Sequence, residues 1–425
     1  MKIIISNTVI LNGGDAAILT SIIKILQAAF GQEIEFVVYD SQPETAKKYY
    51  PQLNLRQLIY DQSIGSIKVR FLGRMIKLIS LWRLKFAAWC IAKNQFSPGK
   101  LCTSKIEYDS LLDYKTADLI VSTGGTYLVE NYGLKPRFFD YQISLMFHQP
   151  LIFFTQSLGP FAQPENRRLL KTIFDSSALI LLRDRQSAKH LEELVTQQSK
   201  ISVVADAAFA LANLEALEAA KNRQDNLPPS KIAISVRDWR YFQTVDPTVG
   251  IAKYIQALVA LTVHLGKKYQ GNITYISSCQ GIPEYWKDDS EFALNIVNQL
   301  PTEIAKLVTV NREFHDPETL VKIIGDYDLV IATRLHMAIL SLGAGVPVFP
   351  IAYEFKTAEL FGKLGQEAWM IDIEEMDATI LIERVDSLID ALPQVRQQLF
   401  TKIQQERSSA WHASALVQQA FDQWL

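Results

Sequence analysis

The chain has 425 residues, which at ~150 residues per domain predicts two or three domains. Apolar residues make up 48% and charged ones 21%, an ordinary globular composition that excludes a disordered or fibrous protein. Lys+Arg number 43 against 45 for Asp+Glu, a net charge of -2, which excludes nucleic acid wrapped over the whole surface, and three cysteines (Cys90, Cys102, Cys279) without metal-ligand spacing argue against a zinc site or a disulfide framework.

Short apolar, β-rich runs alternate with helical patterns, the signature of βα units around parallel sheets. Lys2–Ser6 reads as the first strand. Its apolar stretch is too short for a signal peptide, and with no run of ~18 apolar residues in the chain a soluble cytoplasmic protein is expected. The turn Asn12-Gly13-Gly14-Asp15 follows and opens a helix over Asp15–Phe30, with Ile18, Ile22, Ile25 and Leu26 on one face. The glycines let backbone approach a ligand closely, and Asp15 either caps the helix or borders that ligand. Glu33–Asp40 reads as the next strand.

From Gln62 to Ile106 there is no acidic residue and nine basic ones, so the remainder carries 34 basic against 45 acidic residues, a net of -11. Such asymmetry is a local signal about a partner. On a helical wheel Arg70, Arg74, Lys77 and Lys85 fall along one stripe, beside Phe71, Leu72, Ile76, Ile79, Trp82, Phe86 and Trp89. Either this is a core-packed helix with a solvated charged stripe, or residues 68–93 make peripheral contact with an anionic lipid surface.

Asp118–Thr123 is a buried strand running into Gly124-Gly125, whose bare N–H groups suit a sugar hydroxyl or a phosphate; the alternative is a tight packing turn. Pro150–Gln156 ends in Gln156-Ser-Leu-Gly-Pro, where Gln156 is placed to read a hydroxyl. Leu179–Arg183 and Ile201–Val204 are further strands. Lys221–Lys231, with Pro228-Pro229, marks a linker. After it Ile232–Val236, Ile273–Ser278, Leu307–Val310, Leu329–Thr333 and Val346–Ile351 read as strands. Arg237 stands at the carboxyl end of the first, and Thr333-Arg334-Leu335-His336 where another passes into a helix. Arginine forks match phosphate and carboxylate oxygens, and a helix N-terminus adds a favourable dipole. The structural alternatives are an ion pair with a strand-end carboxylate for Arg334 and a hydrogen-bonded core histidine for His336. Asp326-Tyr327-Asp328 has the spacing of a sugar-nucleotide metal motif but precedes a strand, on the edge away from ligands. From about Pro393 to Leu425 the chain is Gln-rich and helical in period.

The ordered set Asn12-x-Gly14-Asp15, Ser122-x-Gly124-Gly125, Gln156-Ser-x-Gly159-Pro160, Arg183-Asp184 with Ser187-Ala188, Asp206-x2-Phe209, Ser235-x-Arg237 and Asp328-x5-Arg334-Leu335-His336 resembles the polysaccharide pyruvyl transferase family. Gly345-Val-Pro347 and Tyr353-x2-Lys356 extend the match to about residue 365, and the segment 62–106 departs from it. The resemblance implies an α/β fold of two Rossmann-like domains with parallel sheets facing across a cleft, of GT-B type. The expected division is 1–220 on the acceptor side, a linker at 221–231, 232–392 on the donor side, and a helical segment 393–425. It implies transfer of the pyruvyl unit of phosphoenolpyruvate onto two hydroxyls of a saccharide, free or lipid-linked, as a cyclic ketal in exopolysaccharide or cell-envelope biosynthesis. Donor binding would fall to Arg237, Thr333, Arg334, Leu335, His336 and Lys356, with Arg334 and His336 catalytic, and Arg183 a second family-pattern arginine. Asn12, Gly14, Asp15, Gly124, Gly125 and Gln156 would meet the acceptor.

Phosphoenolpyruvate carries a phosphate and a carboxylate, so its site needs at least two fixed cations. No cofactor or metal is expected, since arginines can neutralise the leaving phosphate. His336, with an ordinary imidazole pKa of ~6.5, serves as acid or phosphate ligand. Two other readings share the fold. A nucleotide-sugar glycosyltransferase would show an acidic pair near the donor ribose, for which Glu354 and Glu359 are the only nearby candidates; a non-catalytic assembly protein would lack the cations.

Overall fold

Ile3, Ile4 and Ile5 have no exposed surface, because a parallel strand with helices on both faces is apolar at every position rather than at alternate ones. The computed structural model describes residues 1–64, 73–223 and 227–425. Lys68, Arg70, Phe71 and Leu72, the Arg74 side chain, and 224–226 of the expected linker lie outside the described residues.

Among the described residues the strands are β1 (Lys2–Thr8), β2 (Glu35–Asp40), β3 (Leu55–Gln57), β4 (Leu119–Ser122), β5 (Gly125–Leu128), β6 (Leu151–Leu158), β7 (Leu179–Leu182), β8 (Ile201–Val203), β9 (Lys231–Ser235), β10 (Asn272–Tyr275), β11 (Val308–Val310), β12 (Leu329–Ala332), β13 (Val348–Ala352) and β14 (Ile371–Asp372). They form two parallel sheets, ordered β3-β2-β1-β4-β6-β7-β8, with β5 beside β6, and β11-β10-β9-β12-β13-β14. Each order reverses after its first strand, the doubly wound Rossmann pattern.

Unit 1 comprises Met1–Ile10, Ile18–Ala207 and Ser409–Leu425; unit 2 comprises Leu11–Ala17 and Ala208–Ser408. The chain therefore changes unit at Ala207/Ala208 rather than at 221–231. The helix Leu214–Asn222 belongs to unit 2 because Asn213 N–H donates to Gly343 O at 2.9 Å and Ala212 packs on Gly343. The C-terminal segment begins earlier than 393: one helix runs from Ala378 to Trp424 through Pro393. Its end joins unit 1, where Phe421 meets Phe30 edge-on at 5.2 Å. Among the described residues two helices, Gly13–Phe30 and Pro247–Tyr269, are long and apolar enough by composition to cross a membrane, and 50% and 44% of their apolar windows are buried.

The basic segment departs most from its reading. The helix Gly73–Ala92 packs Leu84, Ala87, Ala88 and Ile91 into the core of unit 1. Of the charged stripe, Lys77 is partly exposed and Lys85 donates to Gln142 Oε1 at 2.6 Å; off the stripe, Arg83 pairs with Glu107 at 2.5 Å. The face turned to solvent is apolar.

Candidate active site

In unit 2, β9 and β12 are neighbours, with Ser235 opposite Ala332. Two residues beyond that pair lie Arg237 and Arg334. They flank the point where the sheet order reverses, which is where open α/β sheets bind ligands.

Arg334 forms a fork-to-fork ion pair with Asp289: Nε donates to Oδ2 and Nη2 to Oδ1, each at 2.7 Å. Ser277 Oγ donates to the same Oδ2 at 2.6 Å. Asp289 is 2% exposed and opens the helix Asp289–Val297, so the partner is a helix-start carboxylate rather than a strand-end one. Burial opposes the guanidinium's charge, but Asp289 and, secondarily, Cys279 and Tyr353 hold its pKa well above the ordinary value. Burial also pushes the Cys279 thiol up to about 12.

Arg237 is half-buried between two rings, 4.4 Å from the Tyr353 centroid and 5.1 Å from that of Trp239, and it donates to Tyr353 Oη. Trp239 Nε1 is buried with no hydrogen-bond partner among the described residues. Thr333 is fully buried, its Oγ1 2.6 Å from Tyr254 Oη, and so positions the turn from beneath. Leu335 begins the helix Leu335–Gly343, whose N-cap, Arg334, makes no side-chain cap bond. That leaves first-turn N–H groups and the positive end of the dipole for an anion. Lys356 pairs with Glu354 at 2.5 Å.

The Asn12–Asp15 turn belongs to this unit. Asn12 Oδ1 accepts the Gly14 N–H at 3.0 Å. A Cβ at Gly13 would lie 1.6 Å from Ser278 O, and one at Gly14 2.4 Å from His336 Nδ1. The glycines are needed here because the turn lies directly against the ends of β10 and β12. Half-buried His336 is thus held beside Gly14, and Asp15 is close enough to raise the Cys279 pKa.

Gly124, Gly125 and Gln156 lie in unit 1 and are buried there. A Cβ at Gly124 would meet Phe154 O and Ile18 Cγ2 at 2.8 Å. Gly125 does not end a strand but starts β5. β6 runs two residues past Gln156, which is fully buried with Nε2 donated to Thr123 O and Tyr127 Oη. Arg183 is likewise internal, bonded to Asp206, Ser157 and Thr126. Asp328 sits at the opposite edge: partial burial pushes its carboxyl up, but N–H bonds from Lys231 and Ser230 hold it below the usual range.

Unit 1 has polar groups of its own near the ends of β1 and β2. Arg137 donates to Asn7 Oδ1 at 2.7 Å and lies 5.1 Å from the Tyr127 ring centroid. Asp140 accepts the Tyr60 N–H at 3.1 Å, and its other oxygen is buried without a hydrogen-bond partner among the described residues. Burial pushes Asp140 up to about 7 despite Arg137. Because the folded value lies above the unfolded one of ~4, folding favours the protonated form. The stability this contributes is complete below about pH 4 and is lost as pH rises through about 7. Asp140→Asn should therefore remove roughly 3 kcal/mol of the fall in stability between pH 5 and pH 8, measured by urea unfolding at both pH values. An unchanged difference would mean that Asp140 is ionised in the folded protein at both.

Asp289, Ser277 and Trp239 were not singled out from sequence. Asp288-Asp289-Ser290 after β10 is a helix-start pattern, and the Asp288 side chain caps the Ser290 N–H; that signal marks a cap, not an arginine partner.

The family model for polysaccharide pyruvyl transferases matches residues 12–354. The chain is 26% identical over 420 residues, 96% of each protein, to the amylovoran biosynthesis protein AmsJ of Erwinia amylovora. In structure it is similar to a UDP-GlcNAc 2-epimerase from Neisseria meningitidis, with TM-score 0.55 and 13% identity over 94% of both chains. It is also similar to sucrose-phosphate synthase from Thermosynechococcus elongatus, with TM-score 0.53 and 15% identity over 98% of this chain and 97% of that one. These likenesses give the fold as GT-B. The match across most of its length, and the Arg-Leu-His turn at the β12 end, place the chain in the polysaccharide pyruvyl transferase family.

Proposed function

We propose that the protein transfers the pyruvyl group of phosphoenolpyruvate to two hydroxyls of a saccharide, forming a pyruvate ketal in exopolysaccharide biosynthesis on the cytoplasmic side. The carrying observation is the register of Arg237 and Arg334, each two residues past the paired Ser235 and Ala332 at the reversal of the sheet. The 26% identical amylovoran biosynthesis protein supports the polysaccharide context. Because Asp289 already balances Arg334, the donor's charge falls mainly to Arg237, to His336 and to the N-terminal N–H groups of the helix from Leu335. Arg334 then acts as a rigid wall that presents the remaining edge of its fork.

Protonation of the donor's methylene carbon generates an oxocarbenium ion. One sugar hydroxyl adds to it and gives up its proton, the C–O bond to phosphate breaks, and the second hydroxyl closes the ring as its proton passes to the departing phosphate. His336, fixed against Gly14, delivers the proton or holds the phosphate, and Lys356 closes the donor side. The acceptor is a saccharide, and a lipid-linked one suits assembly at a membrane.

Thermal unfolding tests the donor. Phosphoenolpyruvate at about 100 times its Kd should stabilise the protein by ~2.7 kcal/mol, raising Tm by roughly 5–10 °C for a unit of this size, while UDP-sugars leave it unchanged. Arg237→Ala should weaken the donor about 10- to 100-fold, the loss of one charge-assisted contact. His336→Gln should lower turnover more than affinity if it delivers the proton. A rise with a UDP-sugar and none with phosphoenolpyruvate would replace this reading by the glycosyltransferase one.

A further inference from the structure

The helix Gly73–Ala92 is apolar on two opposite faces. At 3.6 residues per turn, Leu84, Ala87, Ala88 and Ile91 fill one arc and are buried. Met75, Leu78, Ile79, Trp82, Phe86 and Trp89 fill the other, an arc of about 100°, and all six are exposed. Trp82 is 74% exposed and Leu78 and Ile79 are 59% each, whereas isolated surface apolar residues are ordinary and a continuous stripe of large ones is not. Phe86 and Trp89 stack on one another at 6.1 Å rather than on the core.

The charge around this stripe is of one sign. No acidic residue occurs between Gln62 and Ile106. Arg83 and Lys85 are taken up internally, while Lys93, Lys100 and Lys105 beyond the helix are exposed. A second copy of the chain is a poor occupant, since a two-fold contact sets the same patch against itself and would oppose two segments that carry basic and no acidic residues. Trp and Phe with a lysine border fit the boundary between headgroups and acyl chains, where aromatic rings embed shallowly and ammonium groups meet lipid phosphates.

We propose that the exposed stripe Met75–Trp89, with Lys93, Lys100 and Lys105, docks the protein on the surface of an anionic lipid bilayer. The proposal concerns a face of unit 1 and does not depend on pyruvyl transfer. The test uses the full chain, without substrate, and vesicles of phosphatidylcholine alone or with phosphatidylglycerol. Wild type should sediment with the anionic vesicles, less so as salt rises. Lys93→Gln, Lys100→Gln and Lys105→Gln together should lower that partition roughly 100-fold and leave the weak neutral-vesicle binding unchanged. Trp82→Ser, Phe86→Ser and Trp89→Ser together, all at exposed positions, should abolish both. Equal partition of wild type and the serine variant would overturn the proposal, as would wild type staying in solution with both vesicles. A dimer in sedimentation velocity that the serine substitutions dissolve would assign the stripe to a second copy instead.

Discussion

Arg334→Ala should cost unit 2 about 3–5 kcal/mol of stability, the penalty for leaving one partner of a buried ion pair alone. From sequence the expectation is loss of donor binding with the fold intact. Asp289 changes that: at 2% exposure it would be left as a buried carboxylate without its guanidinium, with Ser277 Oγ still donating to it. The double change Arg334→Gln with Asp289→Asn keeps two polar side chains of similar size and removes both charges, so it should recover most of the loss. That variant separates stability from function. In urea it should unfold near wild type, and in thermal unfolding its response to phosphoenolpyruvate should be reduced. If Arg334→Ala unfolds at the wild-type urea concentration, the pair is not structural; if the double variant still responds fully, the fork does not contribute to the donor site.

Arg183→Met and Asp206→Asn should each destabilise unit 1 by a similar ~3–5 kcal/mol. Both side chains are about as buried as those of the first pair, 5% and 6% exposed. Arg183 also donates to Ser157 Oγ at 2.7 Å and Thr126 Oγ1 at 2.6 Å, so its loss unties β5, β6 and β7 together. The cycle closed by Arg183→Met with Asp206→Asn should show strong coupling, the double variant being more stable than the sum of the two single losses predicts. Additive losses in denaturant unfolding would mean that the two groups act separately. Neither change is expected to alter the donor's apparent affinity in the fraction that stays folded.

The division of labour among the motif residues was only half legible. The major strands announce themselves because apolar runs such as Leu179–Leu182 occupy both faces of a parallel sheet. β3, β5 and β14, of three, four and two residues, are too short to show a period, and β5 begins with the glycine that reads as a turn. Gln156 looked like the end of a strand because Gly159-Pro160 follows; the strand instead continues to Leu158 and carries the amide inside. Arg334 could be placed at a strand end from the pattern alone, but not its partner, which comes from 45 positions earlier in sequence. For the helix Gly73–Ala92, periodicity identifies an amphipathic helix only when one face is polar. With apolar residues on both sides, no wheel states which face the core takes.

The helix Ala378–Trp424 bears on the order in which the protein is made. Its last turns, from Ser409 onward, complete unit 1, whose other segments begin at Met1. A ribosome therefore finishes every residue of unit 2 before it releases the final piece of unit 1. Where the N-terminal domain of a chain usually folds first, here the unit begun first is completed last, and until then Phe30 lacks its contact with Phe421.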